Sequence, residues 1–371
     1  MQSTKRATSI ELIRFIAAFV VMLYHFFTIY VDGNGMVPFA YIFVEFFFLL
    51  SGFFMMKHIA ERTDSMNPAA YVFHKAVSFY PVFIIAFALQ FVLFVFMNHI
   101  GSPSEAVGSL FHFKWEALLL QTAGFIPNPQ FNSDYLLGQA WYLSAMLLSL
   151  LIAYPLAKYL KKWYLALVCP LVIIFVYSYI MQTFGTMNVG NEYMGVVMSA
   201  VLRGLAGTCA GSLCYVGYAR LKEHPLQRKK TAALVEIVCY AGLVGLFFIP
   251  DAADDADSLF FILVFALLIV FGFTNQTPVS KFLNAHGRKL LTYLGSLSLY
   301  LYLLHWPVMS ALQLWAPDME PAAAFALFFG ATAILSALLK WLNDKRKNAF
   351  PVIIIVCALF VFAFFVPLIS G

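Results

Sequence analysis

The stretch ELIRFIAAFVVMLYHF, residues 11–26, sets an arginine and a histidine into an apolar run long enough to cross a membrane. Arg14 and His25 are eleven residues apart, which on an α-helix is about three turns and roughly 16 Å of rise, so both lie on one face. Ionisable residues inside a bilayer are rare and usually line a protein interior or a cavity. The pair therefore predicts a helix face with a functional role. The alternative is that Arg14 extends to the lipid headgroups and that His25 is only a packing residue.

The composition excludes a water-soluble globular protein. Hydrophobic residues make up 62% of the 371 residues and charged residues only 11%, which is typical of a polytopic membrane protein. The sequence predicts an all-α transmembrane bundle of ten or eleven helices in a single domain, residues 1–371. Apolar runs long enough to span occur at 9–30, 39–57, 79–98, 139–157, 163–182, 194–217, 232–249, 258–275, 292–316, 322–341 and 350–369. A weaker run, 115–125, is too short to cross and is predicted to be re-entrant or interfacial.

Charge alternates between the connections that join these runs. Basic residues recur at every second connection, from Lys5 and Arg6 to the stretch 345–347, whereas the intervening loops are mainly acidic. By the positive-inside rule the N-terminus is cytoplasmic. The net charge of +5 therefore reflects topology, and no nucleic-acid partner is predicted. The five cysteines all fall in apolar runs without ligand spacing, so we expect neither a disulfide framework nor a metal site. We also expect no permanently bound cofactor.

Counting residues inward from the predicted helix ends sorts the polar side chains into two depths. The outer level holds His25, Glu45, Trp141 and His305, and the inner level holds Arg14, Ser51 and Lys75. Matching depths on the first two helices predict a contact between His25 and Glu45, in which the carboxylate would fix the tautomer of the ring. The alternative is that Glu45 extends to the outer surface.

Arg203 falls near the middle of the sixth predicted helix, where an unpaired charge is costly. The guanidinium needs a carboxylate, backbone carbonyls or an anionic ligand there, and phosphate is a suitable anion. The glycines of RGLAG at 203–207, together with Gly211, favour close helix packing over a ligand site.

Three local patterns together resemble the acyltransferase 3 family of integral membrane O-acyltransferases, across nearly the whole chain. The first is the spacing from Arg14 to His25. The second is VEFFFLLSGFF at 44–54, with an acidic residue, paired phenylalanines and a Ser-Gly step. The third is LGSLSLYLYLLHWPV at 294–308, which is similar to a late helix of the family.

The chain departs from the family pattern at two places. HKAVSFYP at 74–81 has Ser78 where the family has the second of two arginines, and AWYLSAM at 140–146 has Met146 where many members have glutamate. We expect the stand-alone type, without a fused extracytoplasmic domain.

The resemblance implies transfer of an acyl group, often acetyl, from cytoplasmic acyl-CoA to a hydroxyl of an extracytoplasmic or lipid-linked carbohydrate of the cell envelope. The protein would then lie in the plasma or inner membrane, with acyl-CoA as a donor substrate. Together with the depths, it predicts catalytic residues His25, Arg14 and Glu45, acyl-CoA-binding residues Arg14, Ser51, Lys75 and Arg203, and acceptor-binding residues Trp141, Tyr302 and His305.

A sugar hydroxyl is a weak nucleophile at neutral pH, and a histidine, with an ordinary pKa of about 6.5, is a suitable base. We expect His25 either to deprotonate the acceptor directly or to take the acyl group first as an imidazolide. His305 would stabilise the oxyanion or hold the sugar, or would only shape the helix at its Trp306–Pro307 break.

A transporter or lipid-linked glycan flippase is the main alternative, because a charged stripe through a bundle with Pro and Gly breaks also describes a substrate pathway. A transporter would depend on an ion gradient and ignore acyl-CoA, whereas the enzyme would consume acyl-CoA in detergent. A purely structural membrane partner would not need Arg203 at the bilayer centre. Loops such as 99–138 carry no motif that identifies the acceptor.

Overall fold

The structure, a computed structural model, describes residues 7–31, 37–62, 66–126, 134–248 and 258–345. Most of these residues are helical, so the predicted all-α bundle is confirmed. The helices are α1 (Thr8–Ile29), α2 (Phe43–Glu61), α3 (Pro68–Met97), α4 (Pro103–His112), α5 (Lys114–Ala117), α6 (Trp141–Tyr159), α7 (Lys161–Phe184), α8 (Ser199–Glu223), α9 (Lys229–Gly245), α10 (Ser258–Thr274), α11 (Pro278–His286), α12 (Arg288–Trp315) and α13 (Pro321–Lys345).

Short elements complete the described chain. Strands β1 (Tyr193–Met194) and β2 (Val197–Met198) form an antiparallel hairpin that pairs Tyr193 with Met198. Three 3-10 turns lie at Pro38–Ile42, Gly138–Ala140 and Leu246–Phe248. The hairpin occupies the first residues of the predicted run 194–217, so α8 begins later than predicted.

Ten of the eleven predicted spans coincide with long helices, and the eleventh, 350–369, lies outside the described residues. Seven of these helices are long and apolar enough to cross a membrane, and α10 with α11, bent by 63° at their junction, form an eighth candidate. The long helices α8 and α12 are not among the seven. Both carry many small and polar residues; α12 supplies Tyr302 and His305 to the candidate site, and α8 packs against α2.

Helix α3 starts at Pro68, eleven residues before the predicted run at 79. Asn67 caps it, because the Asn67 side chain accepts a hydrogen bond of 2.8 Å from the backbone N–H of Ala70, and proline follows at the first helical position. An Asn-Pro start of this kind is a strong helix signal that apolar content alone does not detect.

Helices α2 and α8 touch through their backbones. A Cβ on Gly211 would lie 1.8 Å from the carbonyl oxygen of Leu49, and a Cβ on Gly52 would lie 2.0 Å from that of Thr208. Only glycine permits such an approach, so the packing role predicted for the glycines of α8, the sixth predicted span, is confirmed. The close contact places Arg203 of α8 beside α2.

Helix α1 packs against α12 in a similar way. A Cβ on Gly295 would lie 2.3 Å from a carboxylate oxygen of Glu11 and 2.7 Å from its Cα. This approach at one end of the helix pair brings α1 and α12 together along their length, and His25 therefore meets His305 near the other end.

Candidate active site

Two histidines form the centre of the site. Nδ1 of His25 lies 2.9 Å from Nε2 of His305, and the two rings are nearly parallel. His25 is partly exposed, whereas His305 is fully buried behind it. Trp306 packs edge-on against the His25 ring, with 5.2 Å between the ring centres.

The hydrogen bonds of His305 fix the tautomers of both rings. Nδ1 of His305 lies 3.1 Å from the carbonyl oxygen of Leu301, which can only accept, so this nitrogen carries the proton. In a neutral His305 ring Nε2 is then the acceptor, and Nδ1 of His25 donates to it. Nε2 of His25 is left with its lone pair, which is the state that a general base requires.

The predicted contact between His25 and Glu45 is wrong. Glu45 is fully buried and its oxygens accept from Nε of Arg203 at 2.8 Å and from the hydroxyl of Tyr177 at 2.8 Å. The reason is the backbone contact between α2 and α8, which turns Glu45 toward α8 rather than toward α1. The catalytic role predicted for Glu45, which rested on a contact with His25, loses its basis.

Arg203 likewise has its charge paired inside the protein, and only its Nη2 has no hydrogen-bond partner among the described residues. Besides Glu45, it donates to the backbone oxygen of Val189 at 2.6 Å, and its guanidinium lies 5.3 Å from the ring centre of Trp141. The side chain is 1% exposed. The carboxylate and carbonyl partners that the sequence required are present in the protein, so the structure does not support Arg203 as a ligand for acyl-CoA. Its contact with Trp141 instead fixes that ring.

Arg14, Ser51 and Lys75, three of the four residues predicted to bind acyl-CoA, line one cavity of about 240 Å³, called the Arg14 cavity below. Arg14 also pairs with Glu11 at 3.2 Å. The hydroxyl of Ser51 lies 3.0 Å from the sulfur of Met146, which also lines this cavity.

His25 lines a second and larger cavity of about 700 Å³, called the His25 cavity below. Its wall combines aromatic rings with uncharged polar groups. The aromatic residues are Tyr24, Tyr41, Trp141, Tyr302 and Trp306, and the polar residues include Thr28, Gln139, Asn188, Ser310 and Gln313. Neither Glu45 nor Arg203 is among the described residues that line either cavity.

The two cavities share one wall. Val21, Val44 and Tyr302 line both of them. Val21 lies one helical turn before His25, so the shared wall is adjacent to the histidine pair. Of the predicted acceptor residues, Trp141 and Tyr302 line the His25 cavity, whereas His305 supports His25 from behind.

Gln139 is a site residue that the sequence analysis missed. Pro307 in α12 has no N–H for the carbonyl of Leu303, and the side-chain amide of Gln139 donates to that carbonyl at 3.3 Å and to that of Tyr302 at 3.5 Å. The Tyr302 hydroxyl donates back to the backbone oxygen of Gln139. Part of the signal was available, since a proline inside a helix frees a carbonyl that needs a donor, but the sequence does not show which residue supplies that donor.

A buried carboxyl outside the spans supports the segment that leads to Gln139. Glu116 accepts backbone hydrogen bonds from Leu136 at 2.6 Å and Leu137 at 2.8 Å. Burial raises the pKa of Glu116 to about 7, against the lowering effect of these two hydrogen bonds.

Comparison with known proteins gives one match. The model of the acyltransferase 3 family, described as an acyltransferase domain, matches residues 8–341. No curated protein and no solved structure matches the chain. Among the residues that the structure describes, no group of three His, Cys, Asp or Glu side chains could hold a metal ion.

Proposed function

The chain belongs to the acyltransferase 3 family and is a multi-pass membrane acyltransferase, and we propose that it moves an acetyl group from acyl-CoA to a hydroxyl of an extracytoplasmic or lipid-linked carbohydrate. One observation carries the proposal. Two cavities meet at Val21, Val44 and Tyr302, with cations in one and an oriented histidine in the other. A donor and an acceptor that enter from opposite sides of a membrane need such an arrangement.

The donor occupies the Arg14 cavity. Arg14 and Lys75 supply positive charge for the phosphates of CoA, and the pattern of basic loops supports a cytoplasmic position for this cavity. The pantetheine arm is long and thin, so it carries the thioester past Val21 and Tyr302 to His25. We place the protein in the plasma or inner membrane, where cytoplasmic acyl-CoA and the carbohydrates of the cell envelope lie on opposite sides.

The carbohydrate occupies the His25 cavity. Sugars present both apolar C–H faces and hydroxyl groups, and a wall of aromatic rings with a few uncharged polar groups suits both features. Trp141, held by its contact with Arg203, offers a ring of fixed orientation.

His25 acts as the general base. Its Nε2 takes the proton of the acceptor hydroxyl while the oxygen attacks the thioester carbonyl. The charge that develops on the ring is stabilised through the hydrogen bond from Nδ1 to His305. When the C–S bond breaks, the CoA thiolate leaves and receives the proton from His25. This direct route needs both substrates at the shared wall at once, which the two adjoining cavities favour over an acyl-histidine intermediate.

Purified protein in detergent, incubated with acetyl-CoA labelled in the acetyl group and with an extract of envelope glycans, provides the test. We expect free CoA and labelled glycan in equal amounts, and neither without the extract. Labelled acetyl-CoA that remains intact with a folded protein would overturn the proposal and favour transport.

A further inference from the structure

The amide of Gln139 has a fixed orientation. Its nitrogen donates toward two backbone carbonyls, of Tyr302 and Leu303, and a carbonyl oxygen cannot serve as a donor. Turning the amide over would set its oxygen against both carbonyls. The side-chain oxygen Oε1 is therefore the atom that points away from α12.

That oxygen has no hydrogen-bond partner among the described residues, although Gln139 is only 2% exposed. A buried acceptor without a partner costs free energy, so most such atoms in proteins are paired. Gln139 also lines the His25 cavity. An unpaired acceptor at the wall of a substrate cavity is suited to a donor that arrives with the substrate.

We propose that Oε1 of Gln139 accepts a hydrogen bond from a hydroxyl of the carbohydrate acceptor and so holds the acceptor beside His25. The inference rests on the proposed function, because a polyol is the class of acceptor that supplies such a donor. Oε1 is closed to solvent in this structure, so the hydroxyl reaches it as the cavity wall adjusts around the ligand. The same amide supports the turn that carries His305, which links acceptor binding to the histidine pair.

The protein contains a matched control residue. Gln90 is also a buried glutamine, 7% exposed, whose amide nitrogen donates to α12, at the hydroxyl of Ser310. Its Oε1 is likewise without a partner. Gln90 differs from Gln139 in that it is not among the described residues that line the His25 cavity; its partner Ser310 does line the cavity and keeps its hydroxyl in Gln90→Leu.

The experiment measures CoA release from acetyl-CoA by wild-type protein, Gln139→Leu and Gln90→Leu, with one batch of envelope glycan extract at increasing concentration. Loss of one neutral hydrogen bond predicts a rise of about three- to tenfold in the half-saturating extract concentration for Gln139→Leu. The half-saturating acetyl-CoA concentration should not change. Gln90→Leu should leave both concentrations at their wild-type values.

The outcomes separate this inference from the proposed function. Wild-type protein that releases no CoA overturns the proposed function. Wild-type release with an unchanged half-saturating extract concentration in Gln139→Leu, or with an equal rise in Gln90→Leu, overturns the inference alone. If Gln139→Leu does not fold, Gln139→Asn replaces it, because the asparagine side chain is shorter and its oxygen lies farther from the cavity. Gln139→Asn must then show the same rise in the half-saturating extract concentration.

Discussion

The buried pair of Glu45 and Arg203 should be structural, and removing either partner should destabilise the protein strongly. The side chains are 0% and 1% exposed, so water cannot reach the charge that remains. Breaking a buried ion pair in this way costs about 3–5 kcal/mol. We therefore expect Glu45→Gln and Arg203→Met each to lose stability in this range. The double variant, in which neither charge remains, should lose roughly 2–3 kcal/mol less than the sum of the two.

Denaturant titration in mixed micelles, followed by tryptophan fluorescence, would measure these free energies of unfolding. The half-saturating acetyl-CoA concentration would be measured for each variant that folds, and it should stay at the wild-type value. Additive losses of stability would refute the pairing. A stable Arg203→Met variant that needs much more acetyl-CoA would instead restore Arg203 as a donor-binding residue.

Three further predictions concern the Arg14 cavity, the contact between α2 and α8, and Glu116. Arg14→Ala should raise the half-saturating acetyl-CoA concentration several-fold while the glycan dependence stays constant, and an unchanged donor dependence would remove Arg14 from the donor site. Gly211→Ala should destabilise the protein by at least about 1–3 kcal/mol, because its Cβ would lie 1.8 Å from the Leu49 oxygen. Gly330→Ala, with nothing within 4 Å of its Cβ, should be neutral or stabilising by up to about 1 kcal/mol, and equal effects would contradict the close contact. Burial raises the pKa of Glu116 from 4.5 to about 7, so the folded state holds the Glu116 proton more tightly than the unfolded state does. The stability that protonated Glu116 contributes is therefore complete below the unfolded pKa and is lost as the pH rises through the folded pKa. As the pH is raised from about 5 to about 8, the melting temperature of wild-type protein should decrease relative to that of Glu116→Gln. A difference that stays constant over this range would contradict the raised pKa.

The sequence alone predicts the spans because apolar length is a local property. It also assigns His25 and His305 to the same depth, since depth depends only on the distance along each helix. The sequence does not decide which side chains meet across helices, because that depends on how each helix is rotated and on which helices touch. The wrong pairing of His25 with Glu45 has this origin.

Some of the missing information was present in the small residues. Gly52 and Gly211 indicate where backbones approach, and together they identify α2 and α8 as neighbours, which pairs Glu45 with Arg203. Gln139 is harder to find, because an uncharged amide in a turn has no periodic signal. Its role becomes visible only once Pro307 is known to free a carbonyl that faces it.

His25, as the general base, is the residue on which the proposed reaction depends most directly. The decisive measurement compares CoA release from acetyl-CoA, in the presence of envelope glycan extract, by wild-type protein, His25→Ala and His286→Ala. His286 is an exposed histidine on α11 that lines neither cavity among the described residues, so its variant controls for the loss of an imidazole. We predict wild-type release by His286→Ala and none above background by folded His25→Ala; near-normal release by His25→Ala would contradict the mechanism.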